Sequence, residues 1–200
     1  MNNAQSKAEK TRQYIIEKTA STFNARGFAG TSLSDLTEAT DLSKGCIYGH
    51  FENKDQIALA VFDYNFDNIT AYIKSRVLSV DNSVERLLVY PGVYRDFLKI
   101  PFLKTGCPIL NTSTEADDTH PALKEKATAA LSVWKKSIEN QIKRGIERKE
   151  IKADTNPAEI AVIIISMIEG AIMQAKVTNR PTELRMAMDY LEKIILLLKA

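Results

Sequence analysis

Residues Ser32 to Asp55, SLSDLTEATDLSKGCIYGHFENKD, constrain this chain more than any other stretch, because they hold two helix starts with a forced break between them. Ser32 is an N-cap with Asp35 three residues on, in the reciprocal position of a capping box, and Leu33, Leu36 and Ala39 give the helix one apolar stripe. Asp41-Leu42-Ser43 breaks that run, and Ser43 caps a second helix from Lys44 to about His50. Ile47 and Phe51 face inward, which leaves Lys44, Gly45, Tyr48, Gly49 and His50 outside. This is the plan of a helix-turn-helix, whose second helix enters the DNA major groove.

Apolar spacings of three and four recur through the rest of the chain and strand signals are nearly absent, so the expected fold is all-α with about nine helices. A first helix covers roughly Lys7 to Arg26, with Gly27 placed to end it in a left-handed conformation. A long helix follows from near Asp55 to about Leu78; boundaries between 84 and 118 stay open because Pro91-Gly92 and Pro101 punctuate that stretch. Pro121 opens an amphipathic helix to about Lys149, Asn156 caps one from Pro157 to about Val177, and Pro181 opens a last one reaching nearly to Ala200. The expected division is residues 1–55 for the helix-turn-helix domain and 56–200 for a second helical domain.

The last two helices are apolar on more than one face, Ile160 to Ile172 in the first and Leu191 to Leu198 in the second. Such a helix is buried on two sides, either as a central core element or in a subunit interface. Ile160 to Ile168 reads as too short to span a bilayer before Glu169 interrupts it, and MNNAQSKAEKTRQY has no apolar core of signal-peptide length. The expectation is a cytoplasmic protein with no membrane partner.

Net charge is +2, and residues 1–55 carry seven basic and seven acidic side chains, so DNA affinity has to come from where charges sit. Lys7, Lys10 and Arg12 form a local basic arm, while Lys44 and Lys54 flank the second helix and suit phosphates at its two ends. Two cysteines, Cys46 and Cys107, make no disulfide framework, and the two histidines are too far apart for a metal-ligand pair; no metal or cofactor is expected.

Gly27-Phe28, Thr31-Ser32-Leu33, Ile47-Tyr48-Gly49-His50-Phe51 and Lys54-Asp55 together resemble the DNA-binding domain of the tetracycline repressor (TetR) family. The resemblance implies a DNA-contacting set of Thr31, Ser32, Ser43, Lys44, Gly45, Cys46, Tyr48, Gly49, His50 and Lys54. Within it Lys44 and Gly45 approach base edges, and Thr31, Tyr48, His50 and Lys54 hold phosphates. Cys46 departs from the Thr, Ser or Ala usual in the family. The resemblance also implies a homodimer through the last two helices, packed as a four-helix bundle, that sets two recognition helices about 34 to 36 Å apart on a palindromic double-stranded DNA operator.

It further implies a cavity for a small-molecule effector in residues 56–200, with Phe66, Tyr94, Phe97, Cys107, Trp134, Met167, Met173 and Gln174 as candidate lining, and Tyr90, Phe102 and Asn111 beside them. Gly106-Cys107-Pro108-Ile109-Leu110-Asn111 resembles a Gly-Cys motif of a subset of the family, some members of which use the cysteine to sense oxidants or electrophiles. That chemistry needs a thiolate, so a cation such as Lys104 or Lys176 has to be near. The expected function is a transcriptional repressor and not an enzyme. The rivals are a helical small-molecule-binding protein and a thiol-dependent enzyme using Cys107 with His120 or His50 as base; Cys107 as a buried structural thiol stays open beside the sensor.

Overall fold

The computed structural model of the chain describes residues 6–200, apart from the side chain of Leu98. The first five residues, part of the stretch read above for a leader, lie outside the described residues. Among those described, nine α-helices run in the order α1 (Lys7–Arg26), α2 (Leu33–Thr40), α3 (Lys44–Tyr48), α4 (Lys54–Val77), α5 (Ser83–Arg95), α6 (Pro108–Ala116), α7 (Pro121–Glu147), α8 (Pro157–Thr178) and α9 (Pro181–Leu196). Two 3₁₀ turns, Phe97–Lys99 and Pro101–Leu103, separate α5 from α6. The fold is all-α, as the spacing predicts.

Helix starts follow the capping side chains. Ser6 and Glu9 form a reciprocal capping box on α1, and Asn156 Oδ1 accepts from Ala158 N and Glu159 N at the head of α8, with Pro157 in its first turn. Gly27 ends α1 at φ 72° and ψ −178°. That is positive φ as expected, but it is the extended region that only glycine populates, not the left-handed helical one.

The chain forms two compact units. The first takes the described residues up to Asn68 together with Pro108–Thr128. Ile15, Phe23, Leu36, Ile47, Phe51, Ile57 and Val61 are buried in its core, and α1 packs against α2 and α6. Leu36 and Ile47 are fully buried, so truncating either to Ala removes about 2–5 kcal/mol. The short α2 and α3, too short to persist alone, are held in this way.

The second unit takes Ile69–Cys107 and Ala129–Ala200, with α9 packed on α5 and α8. Pro91 sits inside α5 and does not end it, although its missing N–H removes one intrahelical bond. Leu87, Tyr90, Val93 and Tyr94 on both sides of it are buried, and that packing outweighs the break. α9 ends at Leu196, short of the expected reach to Ala200, because the last residues turn out to pair with the chain around Ile151: Lys152 N donates to Leu198 O at 2.9 Å and Ala200 N to Glu150 O at 3.2 Å. α8 as a whole is long and apolar enough to cross a bilayer, a longer run than Ile160–Ile168 suggested. Its apolarity has a use within the unit, where Ala161, Ile164, Ile165, Ile168, Ala171 and Ile172 are buried.

Candidate DNA interface and effector site

Ser32 Oγ accepts from Asp35 N at 3.2 Å while Asp35 Oδ2 accepts from Ser32 N at 2.7 Å, which starts α2 sharply. The Ser32 hydrogen bonds, with Arg26 beside them, hold the Asp35 carboxyl below its usual range. Asp41 turns the chain in a left-handed conformation, and Ser43 Oγ then accepts from Cys46 N at 3.2 Å to open α3. Ser32 and Ser43 therefore use their hydroxyls as caps. On α3, Ile47 is buried and Lys44 and Gly45 are exposed; Cys46, Tyr48 and His50 are half-buried and Gly49 is exposed. A Cβ added at Gly45 would meet nothing within 4 Å, so the protomer's packing does not require glycine there.

Two members of the expected phosphate set are placed otherwise. Thr31 is fully buried and its Oγ1 donates to Gly27 O at 2.6 Å, so its side chain has no exposed group for a phosphate. Lys54 Nζ donates to Phe28 O at 2.8 Å and Thr31 O at 3.0 Å and lies 4.1 Å from the Phe28 ring centroid. It fastens the turn between α1 and α2 from the start of α4.

The same turn is held from the other side. Glu115 of α6 accepts from Phe28 N at 2.8 Å and Ala29 N at 2.7 Å, and Asn111 Nδ2 donates to Asn24 O at 2.8 Å. A Cβ at Gly27 would come within 2.1 Å of Glu115, so glycine is required there by space as well as by φ. His120 packs edge-on against Phe28, its Nδ1 accepts from Leu123 N at 3.3 Å, and its Nε2 lies 3.0 Å from Asp55 Oδ1. These partners assign the proton to Nε2. The ring is mostly buried, not the exposed cap neighbour its place before Pro121 suggests. Sequence reading missed Glu115, which looks like one more surface acid of an amphipathic helix.

In the second unit Tyr94 stacks on Phe97 and on Trp134, each at 5.9 Å between centroids, and all three are buried. Burial pushes the Tyr94 hydroxyl well above its ordinary range, with Cys107 and Glu169 adding to the effect. Cys107, itself buried, donates its thiol to Glu169 Oε1 at 2.9 Å. Burial raises the Glu169 carboxyl to about 7, against the opposing effect of the Cys107 hydrogen bond. Lys176 Nζ donates to Thr105 O at 2.7 Å; burial lowers its pKa and the charge of Cys107 acts to raise it. So Tyr94, Phe97, Trp134, Cys107 and Lys176 lie near one another, with Glu169 as an unforeseen member. Its signal was an acid in the middle of an apolar helix, past the first turn that Glu159 occupies.

The other expected lining residues lie elsewhere. Met173 and Gln174 are exposed on α8, and Met167 is half-buried. Phe66 belongs to the first unit, stacked on Phe62. An open groove of about 530 Å³ is lined by Tyr72, Arg76, Val89, Val93, Lys99 and Ile100 among others, and by none of the expected effector residues. Buried side-chain atoms without a hydrogen-bond partner include Trp134 Nε1, Gln141 Oε1 and Glu169 Oε2. An orphaned buried polar atom costs about 1–3 kcal/mol, so such atoms mark places where a ligand group would be stabilised.

Residues 15–61 match the family model "Bacterial regulatory proteins, tetR family", and residues 83–191 match "Tetracyclin repressor-like, C-terminal domain". A TetR-family transcriptional regulator from Cytophaga hutchinsonii has the same fold at a TM-score of 0.94, is 44% identical and covers 99% of both chains. The HTH-type transcriptional repressor DhaR of Mycobacterium sp. (strain GP1) is 28% identical over 167 residues, 83% of this chain and 82% of its own. The reduced form of NemR from Escherichia coli shares the fold at a TM-score of 0.79 and 20% identity, over 92% of this chain and 96% of that one. Both halves of the chain thus carry the family's pattern on the capped α2–α3 pair and the helical unit after it, and the chain belongs to the tetracycline repressor family of DNA-binding transcriptional regulators, not to an enzyme class.

Proposed function

We propose that the chain is a cytoplasmic, one-component repressor that holds a palindromic operator as a homodimer and releases it when a small molecule or a reactive electrophile acts near Cys107. Residues 1–55 serve DNA binding and 56–200 effector binding and dimerisation. The observation that carries the reading is the exposed edge of Lys44 and Gly45 at the capped start of α3, over a fully buried Ile47. Bare backbone beside a lysine at a helix N-terminus fits base edges and phosphate at close range. Lys44 and Gly45 are the base-reading pair, Tyr48 and His50 the phosphate contacts, and Thr31 and Lys54 leave that set. Gly45→Ala is expected to hold or raise the melting temperature, since Ala favours a helix by about 0.5–1 kcal/mol, while lowering affinity for operators selected from random DNA. Unchanged affinity would remove Gly45 from the interface.

Dimerisation is supported by what α8 and α9 leave uncovered. Val162, Met173 and Val177 on α8, Met186 and Tyr190 on α9, and Leu197 just past its end are each at least 47% exposed. Val162, Ser166, Gly170, Met173 and Val177 fall on one helical stripe, and a Cβ at Gly170 would meet nothing within 4 Å, so a second helix has room to approach. A two-fold interface is also what a single recognition helix per chain needs to read an inverted repeat.

Effector action at Cys107 is supported by its polar burial beside Glu169 and Lys176, unlike an inert thiol in apolar surroundings. NemR, a repressor of the same fold described in a reduced form, favours thiol chemistry as the trigger. N-ethylmaleimide is expected to release operator DNA from Cys46→Ser protein and to leave it bound to the Cys46→Ser/Cys107→Ser double variant. Equal release from both would sink the thiol route and leave reversible ligand binding.

A further inference from the structure

The geometry points to Glu169 as the base that takes the Cys107 proton when the thiol adds to an electrophilic carbon, an assignment that rests on the electrophile-release reading above. The thiol donates to Oε1 at 2.9 Å, so donor and acceptor are already aligned for transfer. The second carboxyl oxygen, Oε2, is buried with no hydrogen-bond partner. Stability alone does not favour a half-satisfied carboxyl in the apolar α8.

Three titratable groups lie around this pair. Tyr94 of α5 feels both Cys107 and Glu169, with Tyr90 one turn before it on the same helix. Lys176, two turns further along α8, interacts electrostatically with Cys107 and donates to Thr105 O. Trp134 of α7 stacks on Tyr94 and carries no charge. Burial raises the Glu169 carboxyl itself to about 7. Above that pH the carboxylate is an empty acceptor beside the sulfur, and below it the acceptor is filled.

With a Michael acceptor the step balances without an oxidant. The sulfur lone pair forms an S–C bond to the β-carbon, the C=C electron pair moves to the carbonyl oxygen as an enolate, and the S–H proton passes to Glu169. The enolate then takes a proton at its α-carbon, from Glu169 or solvent. Lys176 supplies positive charge beside the sulfur as its proton leaves.

The test uses the full chain as Cys46→Ser, with N-ethylmaleimide as the probe and Cys107 alkylation read by peptide mass between about pH 5.5 and 8.5. The unsubstituted Glu169 protein is expected to show a rate that rises through an inflection near 7 and then levels. Glu169→Gln should be slower by about 10²-fold at about pH 7.5, at the low end of what a positioned general base contributes, and should rise with pH without that inflection. Glu169→Asp keeps an acceptor and keeps an inflection; a merely structural Glu169 would give Asp and Gln the same profile. An inflection near 7 that survives Glu169→Gln overturns the assignment.

Folding is followed in parallel. Because the folded carboxyl titrates above its ordinary 4.5, the native chain holds a proton the unfolded one has lost, and stability falls as pH rises from about 4.5 to 7. The advantage of Glu169→Gln in melting temperature should therefore be larger at pH 8 than at pH 5. Operator release separates the two readings. Alkylation with the expected profile but no release keeps Glu169 as the base and removes the electrophile trigger, whereas release with a profile indifferent to Glu169→Gln keeps the trigger and removes the base.

Discussion

Replacing Val177 and Met186 together by Glu is expected to leave a folded monomer that binds its operator about 10²–10⁴-fold more weakly. Both side chains are largely exposed in the protomer, at 80% and 66%, so neither substitution disturbs a packed core. In a two-fold interface each carboxylate would be stripped of water against an apolar partner, a cost of several kcal/mol per ion. The loss of affinity follows from linkage: two half-sites read by one dimer gain that factor over two independent chains, because the second contact is intramolecular. Sedimentation and a DNA titration on the same sample check both halves. A double variant that stays dimeric with unchanged affinity places the interface elsewhere.

Lys54→Met should lower stability by about 2–4 kcal/mol and the melting temperature by roughly 5–15 °C, while leaving the salt dependence of operator binding close to that of the unsubstituted protein. The ammonium serves two carbonyls, Phe28 O and Thr31 O, and sits over the Phe28 ring; methionine fills the stem's volume but satisfies neither carbonyl. A phosphate anchor predicts the reverse, a salt slope reduced in magnitude by about 1 per half-site with stability intact. Thermal unfolding followed by titrations at two salt concentrations distinguishes them. The reduced slope without destabilisation returns Lys54 to the DNA contacts.

Helix starts were legible wherever a single short side chain settles them. Ser32, Ser43, Asn156 and the prolines at 157 and 181 act within three residues of themselves, and the helices begin there. Helix ends and continuations were less so. Pro91 reads locally as a break, yet the burial of Leu87, Tyr90, Val93 and Tyr94 carries α5 past it, and the pairing of the chain end with the residues around Ile151 shortens α9. Both outcomes depend on partners far along the chain. Met173 and Trp134 show the same limit for the site: each sits at an apolar position of its helix, and only packing sends one outward and the other against Tyr94.

What the residues determine by themselves is therefore the all-α fold, the capped α2–α3 pair and the exposed Lys44–Gly45 edge, because capping and helical periodicity are local. Which charged groups are used inside the molecule was decided only in three dimensions. Lys54 and Glu115 both close on the Phe28 turn, and Glu169 meets Cys107 across 62 residues of chain. Hydrogen bonds of that reach are set by which helices pack together, and a lysine or a glutamate carries the same sequence signature whether it meets a carbonyl, a thiol, a phosphate or water.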